Sequence, residues 1–166
     1  MKLTCSGRDV QTIFDLLGDK ENDMTFSLGW LLSHSERFLA ALLEDLTGRP
    51  FDSVADGLVR LQTGRVECGI TDVEIEVRTD IVVVFEAKRG VALPGLTQLQ
   101  KYAAILGRKQ VIERLLVALT NATPAYAKSA MPVLSIHNVR LVHRSWREIK
   151  AIAESVIPHE THANKR

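Results

Sequence analysis

The fold turns on residues 71–90, TDVEIEVRTDIVVVFEAKRG. From Thr71 to Val77 the apolar residues Val73, Ile75 and Val77 alternate with Asp72, Glu74 and Glu76, the period of two that marks a strand with one polar face. Arg78-Thr79-Asp80 reads as a hairpin turn. Ile81 to Phe85 is apolar on both faces, as a central strand covered on both sides must be, and it runs into Glu86-Ala87-Lys88-Arg89-Gly90. Leu58 to Gln62 is expected to open this sheet, so that a meander forms its first half.

Downstream, Leu96 to Leu106 is predicted as a helix ended by Gly107, followed by short strands at Leu115 to Leu119 and Val139 to Val142. The intervening residues 120–132, with Pro124 and Pro132, carry no clear period. Ser145 and Glu148 have capping-box spacing and predict a last helix through Trp146, Ile149 and Ile152, before a frayed tail at 158–166. Upstream, three helices are expected before any strand. The first carries Val10, Ile13, Phe14 and Leu17 and stops at Gly18, and the second carries Phe26, Trp30 and Leu31. The third is capped by Ser33 with Glu36, buries Phe38, Leu39, Leu42, Leu43 and Leu46, and ends at residues 47–50. Together these predict one α/β domain: a helical segment over 1–50, then a mixed four- to five-stranded sheet with flanking helices over 51–157.

Composition agrees with a single domain. The chain has 166 residues, 46% hydrophobic and 25% charged, which excludes collagen-like, disulfide-rich and wholly disordered classes. No apolar run approaches the roughly 18 residues of a membrane span and the N-terminus lacks a signal-peptide core, so a cytoplasmic protein without a membrane partner is expected. Cys5 and Cys68 make neither a disulfide framework nor a zinc site and read as reduced thiols, Cys68 half-buried in a strand. The net charge of +1 hides a segregation: −3 over residues 1–50, −3 over 51–90 and +7 over 91–166. Only a uniformly basic, non-specific polyanion binder is thereby excluded.

Glu86 and Lys88, two apart on a strand, project from one face at the end of an otherwise buried run. Antiparallel pairing across the turn brings Asp72 beside them. Two converging carboxylates repel unless a cation lies between them, and oxygen ligands without Cys or His favour Mg²⁺ or Mn²⁺ over Zn²⁺. The Ala87 carbonyl would complete such a coordination sphere. A metal there can activate water and polarise a phosphoryl oxygen, with Lys88 orienting the water and offsetting charge, which points to phosphodiester hydrolysis. Gln98 and Tyr102, at i and i+4 on the next helix with Lys101 beside them, are placed to reach phosphate or the lysine.

The ordered set Asp72, Glu86-Ala87-Lys88 and Gln98-Leu99-Gln100-Lys101-Tyr102 resembles the PD-(D/E)XK nuclease superfamily, in its branch with a Gln-Leu-x-x-Tyr helix after the catalytic strand. The resemblance spans roughly residues 20–150. It implies a restriction-endonuclease-like core and a metal-dependent nuclease, acting on DNA in restriction, repair or defence. Asp72 and Glu86 would be metal ligands, Lys88 the catalytic lysine, and Gln98 and Tyr102 supporting residues. Members often add a glutamate from the N-terminal helical region, for which Glu21 is the first choice and Glu36 the second. Thr71 stands where the name-giving proline would be, and no Gly-x-x-x-His segment of the exonuclease branch is found, since His34 follows Gly29 by five residues.

Other signals have plainer readings. Glu74 and Glu76 are expected on an exposed strand face, Trp30 and Trp146 in the core, and His137 and His143 in solvent. Lys101, Arg108, Lys109, Arg140, Arg144 and Arg147 form the basic set for nucleic-acid contact. The alternative to an enzyme is a nucleic-acid-binding or assembly module that keeps the nuclease fold without turnover. A homodimer would suit double-strand cutting.

Overall fold

In the computed structural model the strand from Ile81 to Ala87 is buried at every position, because it lies third in a six-stranded sheet with helices on both sides. The structure describes residues 3–5, 8–10, 20–65, 69–132 and 135–157. In chain order they form β1 (Leu3–Cys5), β2 (Arg8–Val10), α1 (Glu21–His34), α2 (Glu36–Thr47), β3 (Gly57–Arg65), β4 (Gly69–Val77) and β5 (Ile81–Ala87). Then come α3 (Leu96–Leu106), β6 (Glu113–Thr120), α4 (Pro124–Ala130), β7 (Ser135–Ile136), β8 (Val139–Ser145) and α5 (Trp146–Val156).

The main sheet has the order β3-β4-β5-β6-β8-β7. Its first three strands are the expected antiparallel meander, β5, β6 and β8 run parallel, and β7 returns antiparallel at the edge. The sheet is therefore mixed, with six strands rather than four or five. The strand missed was β7, too short to show a period. It forms a hairpin with β8 through His137 and Asn138, both at positive φ (51° and 61°), the conformation of a two-residue turn of twist-matched hand.

Strand alternation sorts side chains into two cores. Val73, Ile75, Val77, Ile81, Val83 and Phe85 pack with Leu28 and Leu32 of α1, the apolar stripe of α2 and Ile149 of α5. Val82 and Val84 instead pack with Leu99, Tyr102, Ala103 and Leu106 of α3. The polar side of β4 thus lies on the α3 side of the sheet. Glu74 is only 2% exposed there, contrary to the exposed face expected for it, and Glu76 is half-buried.

The N-terminal region needs correction. A two-stranded hairpin, Leu3–Cys5 with Arg8–Val10, precedes the helices, so Val10 lies in a strand and the segment is not wholly helical. The rest of the helix expected from Val10 to Leu17, Cys68 and the tail at 158–166 lie outside the described residues. The cap of α2 is Ser35, whose extended backbone (φ −131°) lets its Oγ accept the Phe38 N–H at 3.0 Å. Ser33 lies inside α1 and donates to the Trp30 carbonyl at 2.9 Å. Trp30 is 45% exposed and stacks on His34, with ring centroids 4.3 Å apart, because α1 buries the face of Thr25, Leu28, Gly29 and Leu32. In residues 120–132, α4 starts with Pro124 at its first turn behind Thr123, whose side chain accepts the Tyr126 N–H. The box at Ser145 and Glu148 forms as expected. Among the described residues no helix is long and apolar enough to cross a membrane.

Candidate active site

The β4–β5 ladder runs from Val77–Ile81 to Val73–Phe85. One residue further along, the Asp72 side chain takes over from the backbone ladder: its Oδ2 accepts the Ala87 N–H at 2.8 Å, and its Oδ1 accepts the Gln62 amide from β3 at 3.1 Å. Both donors approach a carboxylate that is 8% exposed and fix its plane. Glu86 follows Val82 and Val84 on the α3 side, at the carboxyl end of a strand paired in parallel with β6. Ligands of open α/β sheets gather at such strand ends.

Glu86 is 2% exposed. Its Oε1 accepts a hydrogen bond from Lys88 Nζ at 2.7 Å, while its Oε2 is buried and receives no hydrogen bond. Burial, with the nearby charge of Asp72 adding to it, pushes the Glu86 carboxyl above its usual range despite Lys88 and the adjacent Tyr102 hydroxyl. Burial works against the Lys88 ammonium, but its bonds to Glu86 and then Glu21 prevail and hold it above the ordinary lysine value. Lys88 is therefore a fixed cation rather than a proton acceptor.

The backbone of Lys88 is clamped as well. Its N–H donates to the Leu119 carbonyl at 2.8 Å, and its own carbonyl accepts from the Trp146 indole at 3.1 Å. Trp146, expected as a core anchor, is half-buried and also holds the exit of β5. Glu21, in the first turn of α1, receives Lys88 Nζ at 3.3 Å on Oε1 and the Arg89 N–H at 3.1 Å on Oε2. The structure thus brings Glu21 to the lysine, with both its oxygens engaged. Glu36 is exposed at the start of α2.

Gln98 and Tyr102 meet as their spacing predicts, the amide donating to the phenol at 2.9 Å. The phenol donates in turn to the Ile70 carbonyl at 2.7 Å, which ties α3 to the start of β4. Burial, partly offset by Gln98, together with the Glu86 and Asp72 charges pushes the Tyr102 hydroxyl up to about 12. It stays protonated and acts as a donor.

Three members of the basic set are tied into ion pairs. Lys109 is bound to Glu76 at 2.9 Å, Arg140 to Glu113 at 3.2 Å and Arg144 to Asp45 at 2.6 Å. Lys101, Arg108 and Arg147 are exposed, Lys101 on the helix that carries Gln98 and Tyr102. His143 is half-buried rather than solvated: its Nε2 lies 3.0 Å from the Thr120 hydroxyl, and burial lowers its pKa.

An orphaned carboxylate oxygen on Glu86 beside an oriented Asp72 fits a hard divalent cation. Among the described residues no three Asp, Glu, His or Cys side chains gather into a cage. An ion held here would lean on Asp72 and Glu86 and complete its shell with backbone oxygen and water, as Mg²⁺ commonly does. Ala87, whose N–H holds Asp72, is the backbone candidate the resemblance offers. Sequence reasoning missed Gln62 and the clamp by Trp146, because nothing in their local pattern signals a partner many residues away. The chain matches no family model, no curated protein and no solved structure.

Proposed function

We propose that this protein is a divalent-metal-dependent nuclease of the PD-(D/E)XK type, cleaving phosphodiester bonds in DNA. One observation carries the reading: a buried glutamate, Glu86, leaves one oxygen without a hydrogen bond while Asp72 lies close enough to raise its pKa. Leaving a buried carboxylate oxygen unbonded costs about 1–3 kcal/mol, a cost that a bound cation would offset. Lys88, one residue past the end of β5 and 2.7 Å from Glu86, supplies the third member of the motif.

In this reading Asp72 and Glu86 hold Mg²⁺ or Mn²⁺, with the Ala87 carbonyl as a further donor. The bound ion supplies a water of lowered pKa and polarisation of a phosphoryl oxygen. Lys88, kept cationic, positions the attacking water and offsets charge on the phosphoryl oxygens as it develops. Glu21 sets the lysine's direction, and Gln98 with Tyr102 fixes α3 against the site. Lys101 and Arg147 are the exposed cations offered to the phosphate backbone, and the protein works in the cytoplasm.

The test is cleavage of plasmid, single-stranded DNA and RNA with and without Mg²⁺ or Mn²⁺, with Lys88→Ala as the control. Metal-dependent cutting lost in the variant is expected. Failure of the wild-type protein to cut any of these substrates in either ion sinks the enzyme. Salt-sensitive DNA binding that survives Glu86→Ala would put a binding module in its place.

A further inference from the structure

We propose that Gln62 is a positioning residue for the metal ligand Asp72, held to that task by a strained backbone in the middle of β3. The inference rests on the metal-site reading above. The β3–β4 pairs on either side, Leu61 with Val73 and Thr63 with Thr71, keep one offset, so Gln62 lies directly opposite Asp72 with no inserted residue. Yet this pair alone drops out of the ladder between Gly57–Val77 and Arg65–Gly69, and Gln62 has φ +49°.

An L-residue avoids that region because its Cβ crowds the carbonyl, and glutamine has none of the local hydrogen bonding that lets asparagine or aspartate tolerate it. The other non-glycine residues at positive φ among the described ones, Arg78, His137 and Asn138, all sit in hairpin turns. Gln62 is in a strand. Glycine, which would adopt this conformation freely, occurs two residues on at Gly64, where φ is not positive. A left-handed residue within a strand that is not glycine implies that its side chain is needed.

The side chain has one partner of consequence. Its Nε2 donates to Asp72 Oδ1 at 3.1 Å, and the Ala87 N–H holds Oδ2 from the opposite neighbour strand. Each oxygen keeps a lone pair for an ion, and the carboxylate cannot rotate without losing one of the two bonds. Outer partners of this kind orient a ligand and tune its affinity. Strain at the point where it aims a ligand is a recurring feature of functional sites.

The experiment compares Gln62→Ala and Gln62→Gly in the full-length chain, by thermal melting in EDTA and by calorimetric titration with Mn²⁺ alone. Both variants lose the amide, so both are expected to bind Mn²⁺ about tenfold more weakly than the wild type and within twofold of each other. Only the glycine relieves the backbone, so it is expected to melt about 2–4 °C above the alanine variant. A purely structural role would move the melting temperatures and leave the Mn²⁺ affinities alike. Affinities within twofold of the wild type overturn the inference, as does an alanine variant that melts at or above the glycine one. Should the alanine chain not fold, the glycine chain is decided against the wild type by its affinity. A wild-type protein that takes up no Mn²⁺ removes the metal site itself, a failure distinct from variants that bind as well as the wild type.

Discussion

Two glutamates on the same side of the same sheet, Glu76 on β4 and Glu86 on β5, meet opposite electrostatic fates. Glu76 is gripped by Arg60 at 2.6 Å and Lys109 at 2.9 Å, and these two partners, Arg60 first, hold its carboxyl below the usual range. Glu86 has the single cation Lys88, a second carboxylate beside it and an oxygen that receives nothing, and burial drives its carboxyl upward. Where a carboxylate serves the fold, its countercharges are complete. Where one is left short of partners, the deficit is what the proposed metal site would fill, and the contrast between the two glutamates can be tested directly.

The largest expected separation is in turnover. Glu86→Gln is expected to lower metal-dependent cleavage by about 10²–10³-fold, whereas Glu76→Gln leaves it within a few-fold of the wild type. Equal losses in a plasmid assay would erase the distinction. Next comes the response to metal. At ten times its Kd, Mn²⁺ is expected to stabilise the wild type and Glu76→Gln by about 1.4 kcal/mol, a rise of about 3–5 °C. Glu86→Gln should show no such rise by differential scanning calorimetry.

The pH dependence should also run in opposite directions. A carboxyl lowered in the folded state contributes stability that is present above its unfolded pKa and lost as pH falls through its folded one. Glu76 therefore contributes fully above about pH 4.5 and progressively less as pH falls from there through its lower folded value. Glu86, raised in the folded state, disfavours the metal-free fold increasingly as pH climbs above 4.5. Urea titrations in EDTA from pH 3 to 7 should show Glu76→Gln flattening the acid limb at a cost of about 1 kcal/mol at pH 7. A variant whose acid limb matches the wild type would show that Arg60 and Lys109 contribute nothing. The smallest effect is expected at the contact between α3 and the start of β4: Tyr102→Phe removes the bond to the Ile70 carbonyl and should cost about 0.5–1 kcal/mol in the same measurement.

Much of the meander was legible because alternation and an unbroken apolar run are local. Thr71 to Val77 and Ile81 to Phe85 fell where expected, as did the helix from Leu96 to Leu106 and the box at Ser145. The cap at Ser35 was misplaced by two residues because Ser33 satisfied the same spacing. Trp30 misled because size was taken for burial. The burial of Glu74 was not legible either, since alternation says which residues share a face but not what covers it.

The sequence by itself determined the alternation, the turn at Arg78 and the order of Asp72, Glu86, Lys88, Gln98 and Tyr102, because each depends on neighbours within a few residues. Tertiary structure alone decided that Glu86 lacks a bond on one oxygen, that Glu21 reaches Lys88 across 67 positions, and that Gln62 and Ala87 hold Asp72 from two strands. The number and direction of a buried charge's partners depend on which strands and helices pack together, and no local pattern encodes that.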